Sequence, residues 1–181
     1  MNMTNHVGTV GIVMPMYNAR QTVLRAVQSV MNQTWPDWHL YLINDKSTDD
    51  SLALVREHCN DPRITILDNE VNLGAAETRN VGLRAAKEEI IAFLDSDDEW
   101  HVDKLAQQAA AIASGDDFVI TEYHYKTKNA DHDITYSKPY LQQENFVKKQ
   151  YRVCFSSVCF RRPPQGIFFQ RKGHEDFLFL Y

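Results

Sequence analysis

The sequence predicts an α/β fold, a mostly parallel sheet with helices on both faces. Three observations predict it. Short apolar, β-branched runs alternate with stretches of helical spacing four times before residue 115, which is the pattern of successive strand–helix units. The fourth run, Ile90-Ile91-Ala92-Phe93-Leu94, is apolar throughout, as a strand buried in such a sheet is. Polar, turn-forming and charged residues gather directly after these runs, where an open α/β sheet binds its ligands.

Each element follows from local pattern. Residues 10–14 form strand one, stopped by Pro15. Residues 20–33 carry Val23, Leu24, Val27, Val30 and Met31 at helical spacing. Trp38, Leu40 and Leu42 alternate with His39, Tyr41 and Ile43 as strand two. Ser47-Thr48-Asp49-Asp50 then starts a helix that runs to about Cys59, with Ser47 and Asp50 spaced as a capping box in which Asp replaces the usual Glu. Asp61-Pro62 breaks the chain before strand three at 64–67. Residues 69–74 are a loop and 75–86 a helix. After the strand at 90–94, residues 103–113 are helical and Ser114-Gly115 stops them. Residues 118–125 are strand-like, 126–139 polar and irregular, and Pro163-Pro164 a turn. Without a linker or an internal repeat, residues 1–181 read as a single domain.

Composition narrows the function classes. Apolar residues at 44% and charged residues at 24% are ordinary globular usage. A net charge of −5 argues against a nucleic-acid binder, which carries an excess of Lys and Arg. No apolar run reaches the ~20 residues needed to span a bilayer. Residues 1–8 lack the basic-then-apolar order of a secretory signal. Cys59, Cys154 and Cys159 have no second pair to complete a zinc site and read as reduced cytosolic thiols.

The chemistry sits at the strand ends. Pro15-Met16-Tyr17-Asn18 follows strand one, where a proline turn and an aromatic ring can wall a flat base. Asn44-Asp45-Lys46-Ser47 ends strand two. A carboxylate at Asp45 can accept the ring N–H of uracil, thymine or guanine, and would leave buried polar atoms unpaired against other bases. Asn72-Leu73-Gly74 leads into a helix that carries Arg79 one turn in, a planar fork suited to a phosphate or base, or else to a surface salt bridge. Asp95-Ser96-Asp97-Asp98-Glu99 puts four carboxylates into five positions after the fourth strand. Such charge density suits a hard divalent cation carrying phosphates, or a solvated acidic cap. Near the end, Asp176 stands before an apolar segment as a candidate general base or a helix cap. Neither G-x-G-x-x-G nor the P-loop pattern occurs.

Taken as an ordered set, these pieces resemble the family 2 glycosyltransferases of the GT-A fold. The resemblance is carried by Val13-Met14-Pro15-Met16-Tyr17-Asn18, Ser29-Val30-Met31-Asn32-Gln33-Thr34, Asn44-Asp45-Lys46-Ser47-Thr48-Asp49, Asn72-Leu73-Gly74 through Arg79-Asn80, Phe93-Leu94-Asp95-Ser96-Asp97-Asp98-Glu99-Trp100, and His174-Glu175-Asp176. It implies the GT-A (nucleotide-diphospho-sugar transferase) fold and inverting, metal-dependent sugar transfer. The donor would be a nucleotide-diphospho-sugar, with uridine the best match, and the acceptor a cell-surface glycan or lipid-linked glycan. Pro15, Tyr17 and Asp45 would surround the base. Asp95 would lie near the ribose or donor sugar, with Arg79 close to the nucleotide. Asp97, last of the D-x-D motif, would hold Mn²⁺ or Mg²⁺, with Asp98 a supporting neighbour, and Asp176 would be the catalytic base. The family's bacterial members suggest the cell-surface or lipid-linked acceptor, and the expected location is cytoplasmic, with peripheral contact at the inner face of the membrane. Two departures stand out. Lys46 replaces the glycine of the usual D-D-G-S turn, which predicts a reshaped turn. The chain also stops at Tyr181, before the family's acceptor-side elements, so the alternative is a nucleotide-sugar-binding module without turnover. A phosphohydrolase using Asp95 and Asp97 would place that motif after the first strand instead of the fourth.

Overall fold

The computed structural model describes residues 7–126, 131–134, 155–163, 167–172 and 175–180. The described residues form one six-stranded sheet and two two-stranded ones. The chain alternates β1 (Val10–Met16), α1 (Val23–Met31), β2 (Trp38–Asn44), α2 (Ser51–His58), β3 (Ile64–Asp68), α3 (Ala75–Ala85), β4 (Ile90–Phe93) and α4 (Lys104–Ala113). It continues with β5 (Phe118–Ile120), β6 (Tyr123–Lys126), β7 (Asp131–Ile134), a 3₁₀ turn at Phe155–Ser157, β8 (Val158–Arg161), β9 (Ile167–Lys172) and β10 (Glu175–Leu180).

The main sheet runs β3-β2-β1-β4-β8-β5. The β3-β2-β1-β4 part is parallel, and β8 pairs antiparallel with both β4 and β5. Strand order reverses between β1 and β4, and this decides where the helices go. The crossovers from β1 to β2 and from β2 to β3 step one way, and the crossover from β3 to β4 steps back. Because crossovers keep one hand, the returning helix lands on the opposite face. The two cores show this. Ile12, Met14 and Leu40 pack with α1 and α4 residues such as Val27 and Leu105, whereas Val13, Ile43 and Phe93 pack with Ala76 and Leu83 of α3. Strands covered on both faces need apolar residues at every position, which accounts for the unbroken run at 90–94.

Gly82 sets how closely α3 lies on the sheet. A Cβ there would stand 2.5 Å from Val13 Cγ1 and 2.7 Å from Ile43 Cδ1. Alanine would gain about 1 kcal/mol of helix propensity, but overpacking a filled core costs about 1–3 kcal/mol. Both neighbours are fully buried, so the clash should dominate. Gly82→Ala is expected to lower the urea midpoint; a raised midpoint would show that α3 can lift without cost.

Several boundaries differ from the sequence reading. β1 does not stop at Pro15 but runs through it to Met16. Beyond Val13 the strand is paired to β2 and no longer to β4, so a missing N–H is tolerated there. The segment 118–125 divides into β5, in the main sheet, and β6. β6 pairs with β7, which falls in the stretch expected to be irregular. Cross-strand pairing supplied an order that the polar residues of 126–139 did not signal. Cys59 and Cys159 are buried and free, and burial pushes the Cys159 thiol up to about 11, so it is inert near neutral pH. Cys154 and Pro164 lie outside the described residues.

Candidate active site

β1, β2 and β4 end side by side at the place where strand order reverses, and their loops build a pocket of about 680 Å³. That volume is in the range of small-molecule sites.

Asp45 is the hinge of the construction. It follows β2, its side chain is only 3% exposed, and three donors converge on its carboxylate. Leu73 N and Asn69 Nδ2 donate to Oδ1 at 2.8 and 3.0 Å, and Gly74 N donates to Oδ2 at 2.9 Å. The anion therefore ties the end of β2 to the loop that opens α3, beside the positive end of that helix. Gly74 turns the chain there at φ 82°, a conformation glycine takes freely. A carboxylate offers about four acceptor sites, so one is left on Oδ2 in a residue that lines the pocket. In Asp45→Asn one oxygen becomes an NH₂ group set against a backbone N–H. A charged hydrogen bond is lost and a buried donor orphaned, a cost of about 3 kcal/mol. For a chain of this length that is a fall in Tm of roughly 10 °C, readable by differential scanning fluorimetry. An unchanged Tm would mean that the latch contributes nothing.

One wall of the pocket is formed by interlocked turns. Asn18, at φ 50°, accepts Thr48 N at 2.8 Å through Oδ1, while its own N–H donates to Ser47 Oγ at 3.0 Å. Ser47 is thus committed to Asn18, and the expected capping box with Asp50 does not form. Asp49 does the local work instead, accepting Ser51 N at 3.0 Å at the start of α2. Lys46 sits at φ 60°. This is a left-handed conformation of the kind glycine favours, and here a lysine adopts it. Pro15 and Tyr17, the latter 52% exposed, line the pocket above this lock.

The acidic corner after β4 sorts its charges. Arg79 Nη2 donates to Asp95 Oδ1 at 2.5 Å, with side chains 6% and 29% exposed, and the same guanidinium lies 5.3 Å from the Phe169 ring centroid. Of the readings the sequence left open for Arg79, the structure shows the salt bridge, one that is largely buried and made with Asp95 just after β4. Asp98 N donates to Asp95 O at 3.0 Å and closes the turn. Ser156 Oγ donates to Asp98 Oδ2 at 2.5 Å. Glu99 pairs with Arg25 at 3.2 Å, and Arg25 Nη2 also donates to the Asp97 carbonyl at 3.1 Å. The exposed Asp97 carboxylate alone has no hydrogen-bonding partner among the described residues. Behind the turn, Trp100 N donates to Ser29 Oγ at 3.1 Å, and Gln33 Nε2 donates to the His101 carbonyl at 2.7 Å.

Among the described residues no three His, Cys, Asp or Glu side chains come together as a ready-made metal cage. The donor set suits a cation held by one carboxylate, Asp97, with a ligand's phosphates completing its shell, the manner in which Mg²⁺ is commonly bound.

Six of the seven residues singled out from sequence line this same pocket: Pro15, Tyr17, Asp45, Arg79, Asp95 and Asp97. The seventh, Asp176, lies in β10 opposite Arg171 of β9, in a strand and not at a helix start. Its side chain is outside the described residues. Asn80 docks that hairpin on α3: its Nδ2 donates to the Phe169 carbonyl at 3.0 Å and its Oδ1 accepts Phe169 N at 2.7 Å. Sequence reasoning missed Ser156 and Asn80 as structural partners of the site. Neither lies in a local pattern that announces its partner, 58 and 89 residues away.

The glycosyl transferase family 2 model matches residues 11–176. WfgD of Escherichia coli, a UDP-Glc:alpha-D-GlcNAc-diphosphoundecaprenol beta-1,3-glucosyltransferase, is 38% identical over 137 residues, 71% of this chain and 54% of that protein. WfaP of Escherichia coli, of the same description, is 30% identical over 93% of this chain and 67% of its own length. The crystal structure of S. aureus TarS 1-349 in complex with UDP matches with a TM-score of 0.59 at 28% identity, over 62% of this chain and 34% of that one. The chain spans about half the length of the relatives it matches. Among the described residues no helix is long and apolar enough to cross a membrane. The fold is the GT-A fold expected from the sequence, and its ligand crevice lies where the order of strands reverses. A family match over nearly the whole sequence, with relatives at 30% identity or better, establishes that this chain belongs to glycosyl transferase family 2.

Proposed function

We propose that this chain carries the donor site of an inverting glycosyltransferase. The enzyme takes a sugar from a nucleotide-diphospho-sugar, most simply a UDP-sugar, and places it on a hydroxyl of a glycan or lipid-linked acceptor in cell-surface polysaccharide synthesis. One observation carries the reading: loops as far apart in sequence as 15 and 97 meet in one pocket with the residue types that a base, a diphosphate and a cation require. The UDP-Glc of WfgD and WfaP, and the UDP bound to TarS, favour uridine.

In this reading Pro15 and Tyr17 flank the base and the remaining site on Asp45 Oδ2 accepts its ring N–H. Arg79 holds Asp95 at the floor of the pocket, next to the ribose and donor sugar. Asp97 holds Mn²⁺ or Mg²⁺, which when bound neutralises the diphosphate as a leaving group. Asp176 accepts the proton of the acceptor hydroxyl at a carboxylate oxygen as that hydroxyl attacks the anomeric carbon from the face opposite the departing diphosphate. The protein works at the inner face of the membrane, where lipid-linked acceptors are elongated.

A thermal-shift screen of UDP-, dTDP- and GDP-sugars, each with and without Mn²⁺, tests the proposal. A ligand that binds only the native state raises Tm. UDP-sugars are expected to do so most, and more with Mn²⁺. No shift with any of them would end the reading. Binding without transfer would leave the chain as a nucleotide-sugar-binding module.

A further inference from the structure

We infer that Ser156 is a positioning residue of the donor site: its hydroxyl anchors Asp98, fixes the backbone of Asp95, and so leaves Asp97 as the one carboxylate of the acidic turn free to meet a cation. The inference rests on the donor-site proposal above.

The argument begins with strand pairing. β8 runs antiparallel to β4, with Ala92 opposite Cys159. Continuing that register past the end of β4 sets Ser156 opposite Asp95. The contact is made there, since Asp95 N donates to Ser156 Oγ at 3.0 Å. A hydroxyl has one proton to donate, and Ser156 gives it to Asp98 Oδ2 at 2.5 Å. The two ends of the turn, Asp95 and Asp98, are thus joined twice, by their own backbone bond and through one serine oxygen. Ser156 is itself held, being 6% exposed and accepting Trp100 Nε1 on its carbonyl at 2.7 Å.

The consequence is electrostatic and geometric. Three carboxylates within four positions repel one another, and each draws on what is near. Arg79 takes Asp95, and Ser156 takes Asp98. Without the hydroxyl, the Asp98 carboxylate would lose that donor and the Asp95 N–H its acceptor. The turn would then be held less firmly in the arrangement that presents Asp97 to the cation. Groups that orient a metal ligand from behind commonly change metal affinity by about 10–100-fold.

The test compares wild type with Ser156→Ala by isothermal titration calorimetry. UDP is titrated in EDTA, and Mn²⁺ is titrated into protein plus UDP. The expected result is a fall of at least about tenfold in Mn²⁺ affinity, well beyond any fall in UDP affinity in EDTA, with the fold retained by circular dichroism. A purely structural role would weaken both affinities together and would overturn the inference. Equal Mn²⁺ affinity in both proteins would also overturn it. If Ser156→Ala does not fold, Asp98→Asn serves in its place, because an amide oxygen still accepts the Ser156 proton. The inference expects that variant to keep the wild-type Mn²⁺ gain, and a loss as deep as that of Asp97→Asn would overturn it by making Asp98 a ligand. Wild type lacking any Mn²⁺ gain would bring down the donor-site proposal itself. Wild type gaining and Ser156→Ala gaining equally would bring down only the role of Ser156.

Discussion

Asp97→Asn should abolish the Mn²⁺-dependent part of UDP binding while leaving the protein as stable as wild type. The two halves of this expectation come from the same geometry. Asp97 is exposed and its carboxylate makes no hydrogen bond among the described residues, so nothing in the fold is lost with its charge. Surface changes away from such contacts usually stay within about 0.5 kcal/mol. Its neighbours are all committed: Asp95 to Arg79, Asp98 to Ser156 and Glu99 to Arg25. Each of these is held in an orientation set by its partner, whereas Asp97 is not. A neutral amide in place of the carboxylate removes the hard anionic oxygen that such cations select. The loss should exceed the 10–100-fold that outer partners command. Calorimetry with UDP, with and without Mn²⁺, would read it. If the variant keeps the wild-type Mn²⁺ gain, the cation is held elsewhere and the assignment of the acidic corner fails.

Asp176→Asn should divide binding from chemistry. UDP affinity with Mn²⁺ is expected to be that of wild type, because Asp176 is proposed to act on the acceptor and not on the donor. Sugar transfer, followed by UDP release, should fall by about 10²–10⁴-fold, the usual worth of a positioned general base. An ordinary aspartate, with pKa ~3.9, is a weak base toward an alcohol. Proton transfer must therefore come late, once bond formation has made the hydroxyl acidic, and Asp176 matters through position more than through basicity. β10 is paired to β9, and β9 is bound to α3 by Asn80, the residue next to Arg79 in the donor pocket. Near-normal transfer by the variant would remove Asp176 from the mechanism without touching the donor site.

Much of this molecule was legible before its coordinates. Residues such as Val27 and Val30 at helical spacing, and the apolar run from Ile90 to Leu94, announce their elements because burial acts on each residue locally and strand and helix differ in period. Strand ends announced the pocket for a related reason. A parallel sheet delivers its loops to one edge, so Tyr17, Asp45 and Asp97 had to meet if β1, β2 and β4 were neighbours. The extent of β1 through Pro15 was harder to see, because a proline is tolerated only where the neighbouring strand has ended. The pairing of β7 was hidden likewise, since polar residues pair well when a partner strand is present.

What the sequence determined by itself is the α/β class, the order of its elements and the identity of the chemical groups in the crevice. These depend on patterns a few residues long and on strand ends that share one edge of the sheet. Only the tertiary structure decided how the charges are shared: that Asp45 ties a loop as well as lining the pocket, that Arg79 is matched to Asp95, and that Ser156 restrains Asp98. Each of those pairings joins residues from 16 to 58 positions apart. A carboxylate looks the same in the sequence whether it is bound or free, and the difference appears only when folding brings its partner within hydrogen-bonding distance.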